Sequence, residues 1–219
     1  MRTSGKKHAV ETLAVITVGF VILSILVLVF PHSRLDSEFS EEIQEHHNSF
    51  VDFMMKFISW FVYIWTSVGL VLLTALIIFL KKKYREGIFC LSTLLIGVVN
   101  YTIKILINRS RPSHDLVRVI VDVQHQSFPS GHVSFYILFF GFIAFLFYHK
   151  KWLAPRFRYT IITCCVGLIL TVPISRIYLG AHWFTDVLGG FLLGNICLGC
   201  LLLLYLKDEN TITLQSSNR

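Results

Sequence analysis

Charge is scarce in this chain: 15% of its 219 residues are Asp, Glu, Lys or Arg, against 54% that are hydrophobic. A soluble globular domain carries about a quarter charged residues, so a surface bathed in water all round is excluded. Internal repeats, low-complexity segments and polar linkers are absent too, which leaves one unit over 1–219. The 5 cysteines (Cys90, Cys164, Cys165, Cys197, Cys200) are odd in number and all fall in apolar stretches, so no disulfide framework follows. Cys197 and Cys200 have the spacing of a redox or metal pair, but in an apolar helix they read as small packing residues. His46-His47 has no companion at ligand spacing and gives only a weak metal signal.

What the chain has in quantity is long apolar runs, at about 9–30, 57–80, 88–107, 133–148, 159–174 and 185–206. Each approaches or exceeds the roughly 20 residues a helix needs to cross the hydrocarbon of a bilayer. The fold expected is therefore all-α, a six-span transmembrane bundle whose core is the packing of spans on one another. The first run follows a basic start but lacks a small-x-small cleavage pattern near Pro31, so it reads as a retained anchor. The connection after it is acidic, with Leu35, Phe39, Ile43 and Phe50 at near-helical spacing. It fits an amphipathic helix on the outer membrane surface and a plain solvated loop equally well. Trp60, Tyr63 and Trp65 read as interfacial anchors rather than as part of a site.

The net charge of +7 raises the possibility of nucleic acid as a partner. The basic residues are sorted by loop instead, which argues against it. Arg2, Lys6, Lys7, Lys81, Lys82, Lys83, Arg85, Lys150, Lys151, Arg156, Arg158 and Lys207 fall on one side, while Asp36, Glu38, Glu41, Glu42, Glu45, Asp115 and Asp122 fall on the other. By the positive-inside rule both termini are expected in the cytoplasm.

Three polar stretches interrupt the runs on the non-cytoplasmic side. In the first, Lys104 and Arg111 lie seven residues apart, sharing one helical face if the helix runs to Pro112. A cation within a span is costly and marks function by default, although a lysine snorkelling to head groups would look the same. In the second, Pro129-Ser130-Gly131-His132 precedes an apolar helix and forms an N-terminus suited to an anion; Ser-Gly pairs also serve as ordinary caps. In the third, Ser175-Arg176 is followed by His182 and Asp186. If helix runs from Ala181, His182 and Asp186 share a face, and the carboxylate can hold one imidazole nitrogen as N–H while freeing the other. A helix cap at the membrane edge is the plainer account of that pair. Together the stretches supply three cations, a hydroxyl with backbone donors, two histidines and a carboxylate, an inventory that suits phosphoryl transfer through a covalent intermediate. Close helix packing is expected at Gly190 and Gly194.

Lys104-x6-Arg111-Pro112, Pro129-Ser130-Gly131-His132 and Ser175-Arg176-x5-His182-x3-Asp186 resemble the three signature motifs of the type 2 phosphatidic acid phosphatase family, without a gap or substitution. The resemblance implies a six-span bundle with His182 as nucleophile forming a phosphohistidine, Asp186 orienting it and His132 as general acid. Lys104, Arg111, Ser130, Gly131 and Arg176 would bind the phosphate, and neither a metal nor another cofactor is needed. Vanadium haloperoxidases share the motifs but are soluble. The short form is similar to bacterial members acting on phosphatidylglycerol phosphate or undecaprenyl diphosphate, so the expected partner is a membrane lipid carrying a terminal phosphate or diphosphate. Two other classes remain beside this one. An anion or lipid transporter would show polar span centres and repeat symmetry. A metal hydrolase built on His132, His182 and Asp186 would set its ion among repelling cations.

Overall fold

The computed structural model describes residues 3–31, 33–61 and 63–217; Arg2 of the basic start lies outside them. The described residues form helices α1 (Thr3–Val29), α2 (Arg34–Gln44), α3 (Ser49–Trp60), α4 (Ile64–Leu80), α5 (Tyr84–Ser92), α6 (Leu95–Ile107), α7 (Gly131–Lys150), α8 (Pro155–Tyr178) and α9 (Phe184–Ser217). Five stretches are long and apolar enough to cross a membrane, and a sixth follows if α3 and α4, which meet at 53°, count as one bent span. The six spans expected are reached when that bent pair is counted as one.

α7 is the centre. Phe135, Tyr136, Phe139, Phe142 and Leu146 are each at most 5% exposed, enclosed by α8 and α9 and by the inner faces of α4, α5 and α6. The outward residues of the surrounding helices, such as Val15, Leu80 and Leu106, stay apolar because hydrocarbon is their solvent. Small residues set the closest approaches. A Cβ on Gly194 would stand 2.8 Å from Ile137 Cβ, and one on Gly199 would stand 2.4 Å from Leu13 of α1. The tight packing expected around Gly190 and Gly194 is therefore the α7–α9 contact.

Two expectations about local structure change and one open choice is settled. The stretch 88–107 is two helices, α5 and α6, broken at Thr93 and Leu94, where Thr93 Oγ1 donates to the Cys90 carbonyl. Pro112 does not close the third span. Asn108 does so earlier, in the left-handed conformation (φ 48°), with its N–H on the Lys104 carbonyl at 2.9 Å. Arg111 therefore lies in a loop, and the shared helical face does not bring it to Lys104. The acidic connection is a helix rather than a plain loop, and α2 buries a polar face against the bundle. Asp36, Ser40 and Gln44 are its buried face, while Leu35 and Phe39 are exposed.

Burial of this polar face has a physical cause: the end of the bundle beneath α2 is polar. Gln44 Nε2 donates to the carbonyls of Arg118 (2.8 Å), Tyr178 (2.9 Å) and Ile177 (3.3 Å), and its Oε1 accepts from Arg118 N at 3.0 Å. One amide thus satisfies the free carbonyls at the end of α8. The α8–α9 turn beside it needs Gly180, since φ is +64° and a Cβ would meet the Arg118 carbonyl oxygen at 2.4 Å.

Candidate active site

The three polar stretches converge at one end of the bundle. Arg176 occupies the last turn of α8, Ser130 and His132 open α7, Asp186 lies in the first turn of α9, and Lys104 ends α6. The loop after α6 folds back over them. Lys104 Nζ donates to the Gln126 and Ser127 carbonyls (2.6 and 3.1 Å), and Arg111 Nη2 reaches the same Gln126 carbonyl at 3.2 Å. Both cations are thus anchored by one loop, a fixture that their spacing in sequence does not reveal.

His182 is 2% exposed and lies two residues ahead of α9, not within it. Arg111 Nη1 is 3.3 Å from its Nε2 and 2.5 Å from the Ala181 carbonyl oxygen. A guanidinium can only donate, so Nε2 carries the lone pair and Nδ1 the proton. Nδ1 faces Asp186 Oδ2 at 3.6 Å and Ser127 Oγ at 3.4 Å. The carboxylate is therefore close to the ring, as the spacing suggested, but beyond direct hydrogen-bond length. Its own bonds go to Ser127 Oγ, to Trp183 N at 2.9 Å and to Arg109 Nη1 at 2.6 Å. The bond to Trp183 N is the helix-capping role weighed from sequence. Burial, then the charges of Arg111, Lys104 and Arg176, hold the His182 imidazolium well below its ordinary 6.5, so the ring is neutral at physiological pH. Burial likewise lowers Arg111 to about 10, which leaves it cationic.

Around this neutral ring three buried polar atoms have no hydrogen-bond partner among the described residues: Ser130 Oγ, His132 Nε2 and Arg176 Nε. Ser130 precedes α7 but its side chain does not cap it, so the plain-cap account of the Pro-Ser-Gly turn fails. Its backbone N–H instead donates to the Asp186 carbonyl at 2.9 Å, joining the second stretch to the third. A Cβ on Gly131 would meet nothing within 4 Å, so the mouth of α7 is open space. His132 borders a 220 Å³ cavity between α4 and α6 that also touches Ser67, Asn100 and Gly131. Tyr63 stands edge-on to the His132 ring, centroids 6.4 Å apart, and so does more than anchor the chain at an interface. Among the described residues no three of His, Cys, Asp and Glu are grouped to hold a metal ion.

Four residues at the site went unassigned in the sequence. Ser127 is 0% exposed and touches Asp186, His182 and Lys104 through its hydroxyl and carbonyl. Arg109 is 3% exposed; besides Asp186 it donates to Asp36 Oδ2 at 2.6 Å, to Thr185 Oγ1 at 2.7 Å and twice to the Pro31 carbonyl, at 3.0 and 2.9 Å. Asp36 is thereby part of the interior rather than a surface acid, and its Oδ1 accepts from Thr185 N and Oγ1, both at 2.9 Å.

Residues 85–210 match the PAP2 superfamily, a stretch that contains all three motifs and the helices carrying them. The chain belongs to this superfamily. Among PAP2 relatives, phosphatidylglycerophosphatase B of Bacillus subtilis is 38% identical over 120 residues, 53% of this chain and 56% of that protein. A putative undecaprenyl-diphosphatase of Escherichia coli, YbjG, is 39% identical over 75 residues, 34% of this chain and 32% of that protein. The chain thus spans about half the length, or less, of these curated relatives. The solved structure of the first transmembrane PAP2 type phosphatidylglycerolphosphate phosphatase from Bacillus subtilis superposes with a TM-score of 0.77 at 25% identity, covering 89% of this chain and 96% of that one. The PAP2 architecture is thus a likeness over nearly the full length, not over the motifs alone.

Proposed function

We propose that this PAP2 chain is a lipid phosphatase that hydrolyses the terminal phosphate or diphosphate group of a membrane lipid, one phosphoryl unit at a time, through a phosphohistidine on His182 and without a metal. The observation that carries the reading is the neutral His182 with its Nε2 lone pair turned to Arg111 and its Nδ1–H to Asp186, amid buried donors of Ser130 and Arg176 that have no partner. In the first step Nε2 attacks phosphorus, the bond from phosphorus to the lipid oxygen breaks, and His132 gives its proton to that oxygen. In the second, water attacks phosphorus and passes its proton to His132 while the phosphorus–nitrogen bond breaks, which regenerates both histidines and releases phosphate. Lys104, Arg111 and Arg176 neutralise the phosphoryl oxygens, with Ser130 and Gly131 contributing donors at the start of α7.

A lipid substrate follows from position. The site lies at the ends of the spans, at head-group depth, where a lipid can present its phosphate while its tails stay in the bilayer. The named activities of the relatives, a phosphatidylglycerophosphatase and an undecaprenyl-diphosphatase, support the same class. The face is assigned from charge: the site is at the opposite end of the bundle from Lys81, Lys83, Arg85, Lys150 and Arg156, so it opens outside the cytoplasm and both termini lie inside. Phosphate release by the purified protein from phosphatidic acid, phosphatidylglycerol phosphate and undecaprenyl diphosphate tests the reading. Activity that survives a strong chelator and vanishes in His182→Ala is expected; water-soluble esters cleaved as efficiently as every lipid would overturn it.

A further inference from the structure

The orienting carboxylate of the site is itself held by a buried charge relay that begins on α2. Arg109 uses all of its N–H groups on fixed partners and lies between two carboxylates, Asp36 at 2.6 Å and Asp186 at 2.6 Å, with the Arg109 and Asp186 side chains at most 1% exposed and that of Asp36 2%. Asp36 is fixed in turn by Ser33 Oγ (2.8 Å) and by the N–H and hydroxyl of Thr185 at the start of α9. An arginine bound to Asp186 alone would neutralise it and weaken its attraction for the His182 N–H 3.6 Å away. A second carboxylate on the far side of the guanidinium shares that cation and leaves Asp186 with net negative charge toward the ring.

From this we infer that Asp36 and Arg109 are positioning residues for phosphoryl transfer: the Asp36–Arg109–Asp186 chain sets both the place and the effective charge of Asp186, and through it the nucleophilicity of His182. The inference rests on the proposed phosphohistidine chemistry. It also accounts for the burial of Asp36 on α2, an acid that a plain solvated connection would leave in water. A tether between α2 and α9 would use the same bonds, so the test must separate charge from attachment.

The experiment is a double-mutant cycle on the full chain in detergent, with Asp36→Asn, Asp186→Asn and the pair. Each is read by kcat and KM for phosphate release and by the affinity for vanadate, which takes the five-coordinate geometry of the transferring group on His182. Asp36→Asn should lower kcat and vanadate affinity roughly ten- to a hundred-fold with little change in KM, as loss of a group supporting a reactive one does. In the Asp186→Asn background the same change should cost almost nothing, because the route to His182 is already cut. Arg109→Lys keeps a cation but cannot reach both carboxylates, and should reproduce this pattern if Asp36→Asn folds poorly. Glu38→Gln, on the exposed face of α2, serves as the neutral control. Losses that simply add across the cycle, or a wild-type kcat and vanadate affinity in Asp36→Asn, would overturn the inference. A wild-type protein that releases phosphate from no lipid, yet shows the non-additive vanadate pattern, would instead sink the lipid-phosphatase reading and leave the relay standing.

Discussion

Gly190→Ala adds one methyl group at the point where α9 passes the mouth of α7, and it tests how closely the chemistry depends on that approach. The new Cβ would stand 2.5 Å from the Ser130 carbonyl oxygen and 3.1 Å from the Cβ atoms of Ser130 and Val133. A carbon and a carbonyl oxygen in contact are roughly 3.3 Å apart, so one backbone must retreat by about 0.8 Å. No flexible side-chain end is available to absorb this shift, because the obstacle is the Pro-Ser-Gly turn itself. The same movement stretches the bond from Ser130 N to the Asp186 carbonyl, now 2.9 Å, which joins the mouth of α7 to the start of α9. Over-packing of this kind costs about 1–3 kcal/mol in stability. Its effect on rate should be larger, about a hundred-fold, because a displacement near 1 Å spoils the alignment of reacting groups. Initial rates of phosphate release and thermal unfolding in detergent measure the two effects separately. Gly141→Ala is the matched control: its Cβ would meet Leu198 Cδ2 at 2.6 Å, on the same helix pair but against a side-chain tip that can rotate away. Near-normal turnover in Gly190→Ala, or equal losses in both variants, would refute the argument.

His132→Ala should be partly rescued by a substrate whose leaving group needs no proton, whereas His182→Ala should not; equal rescue in steady-state assays would overturn the division of roles. The depressed imidazolium of His182 has a stability consequence with a definite sign: as pH falls below its ordinary 6.5, the unfolded chain takes up a proton that the folded ring refuses, so stability is lost toward acid. Unfolding midpoints followed from neutral pH downward should therefore fall less steeply in His182→Asn than in the wild type. A cysteine placed at Asp115 should react with a membrane-impermeant thiol reagent on intact cells and one at Lys82 should not, the reverse pattern inverting the assigned orientation.

The spans were legible because hydrocarbon asks only for length and apolarity: 133–148 and 159–174 became α7 and α8 with a few residues added at each end. The break between α5 and α6 was invisible, since Thr93 satisfies a carbonyl within an apolar run. The motif residues could be named from spacing and resemblance, but what holds them could not. Arg109 is two residues from Arg111, and nothing in its neighbourhood announces a carboxylate 73 residues earlier. Asp36 was hidden further by its company. Among Glu38, Glu41 and Glu42 a buried acid looks like a solvated one.

The burial of the polar face of α2 bears on how this molecule can be re-engineered. On a hydropathy plot the connection between the first two spans is the natural place to insert an epitope or to graft a loop from a relative. Such an exchange would remove one of the two carboxylates that accept from Arg109 and the amide that covers the end of α8. A chimera should therefore exchange 34–44 only together with the positions at 109, 118 and 185 that bind it. These distant segments behave as one heritable unit, whatever the loop lengths between them.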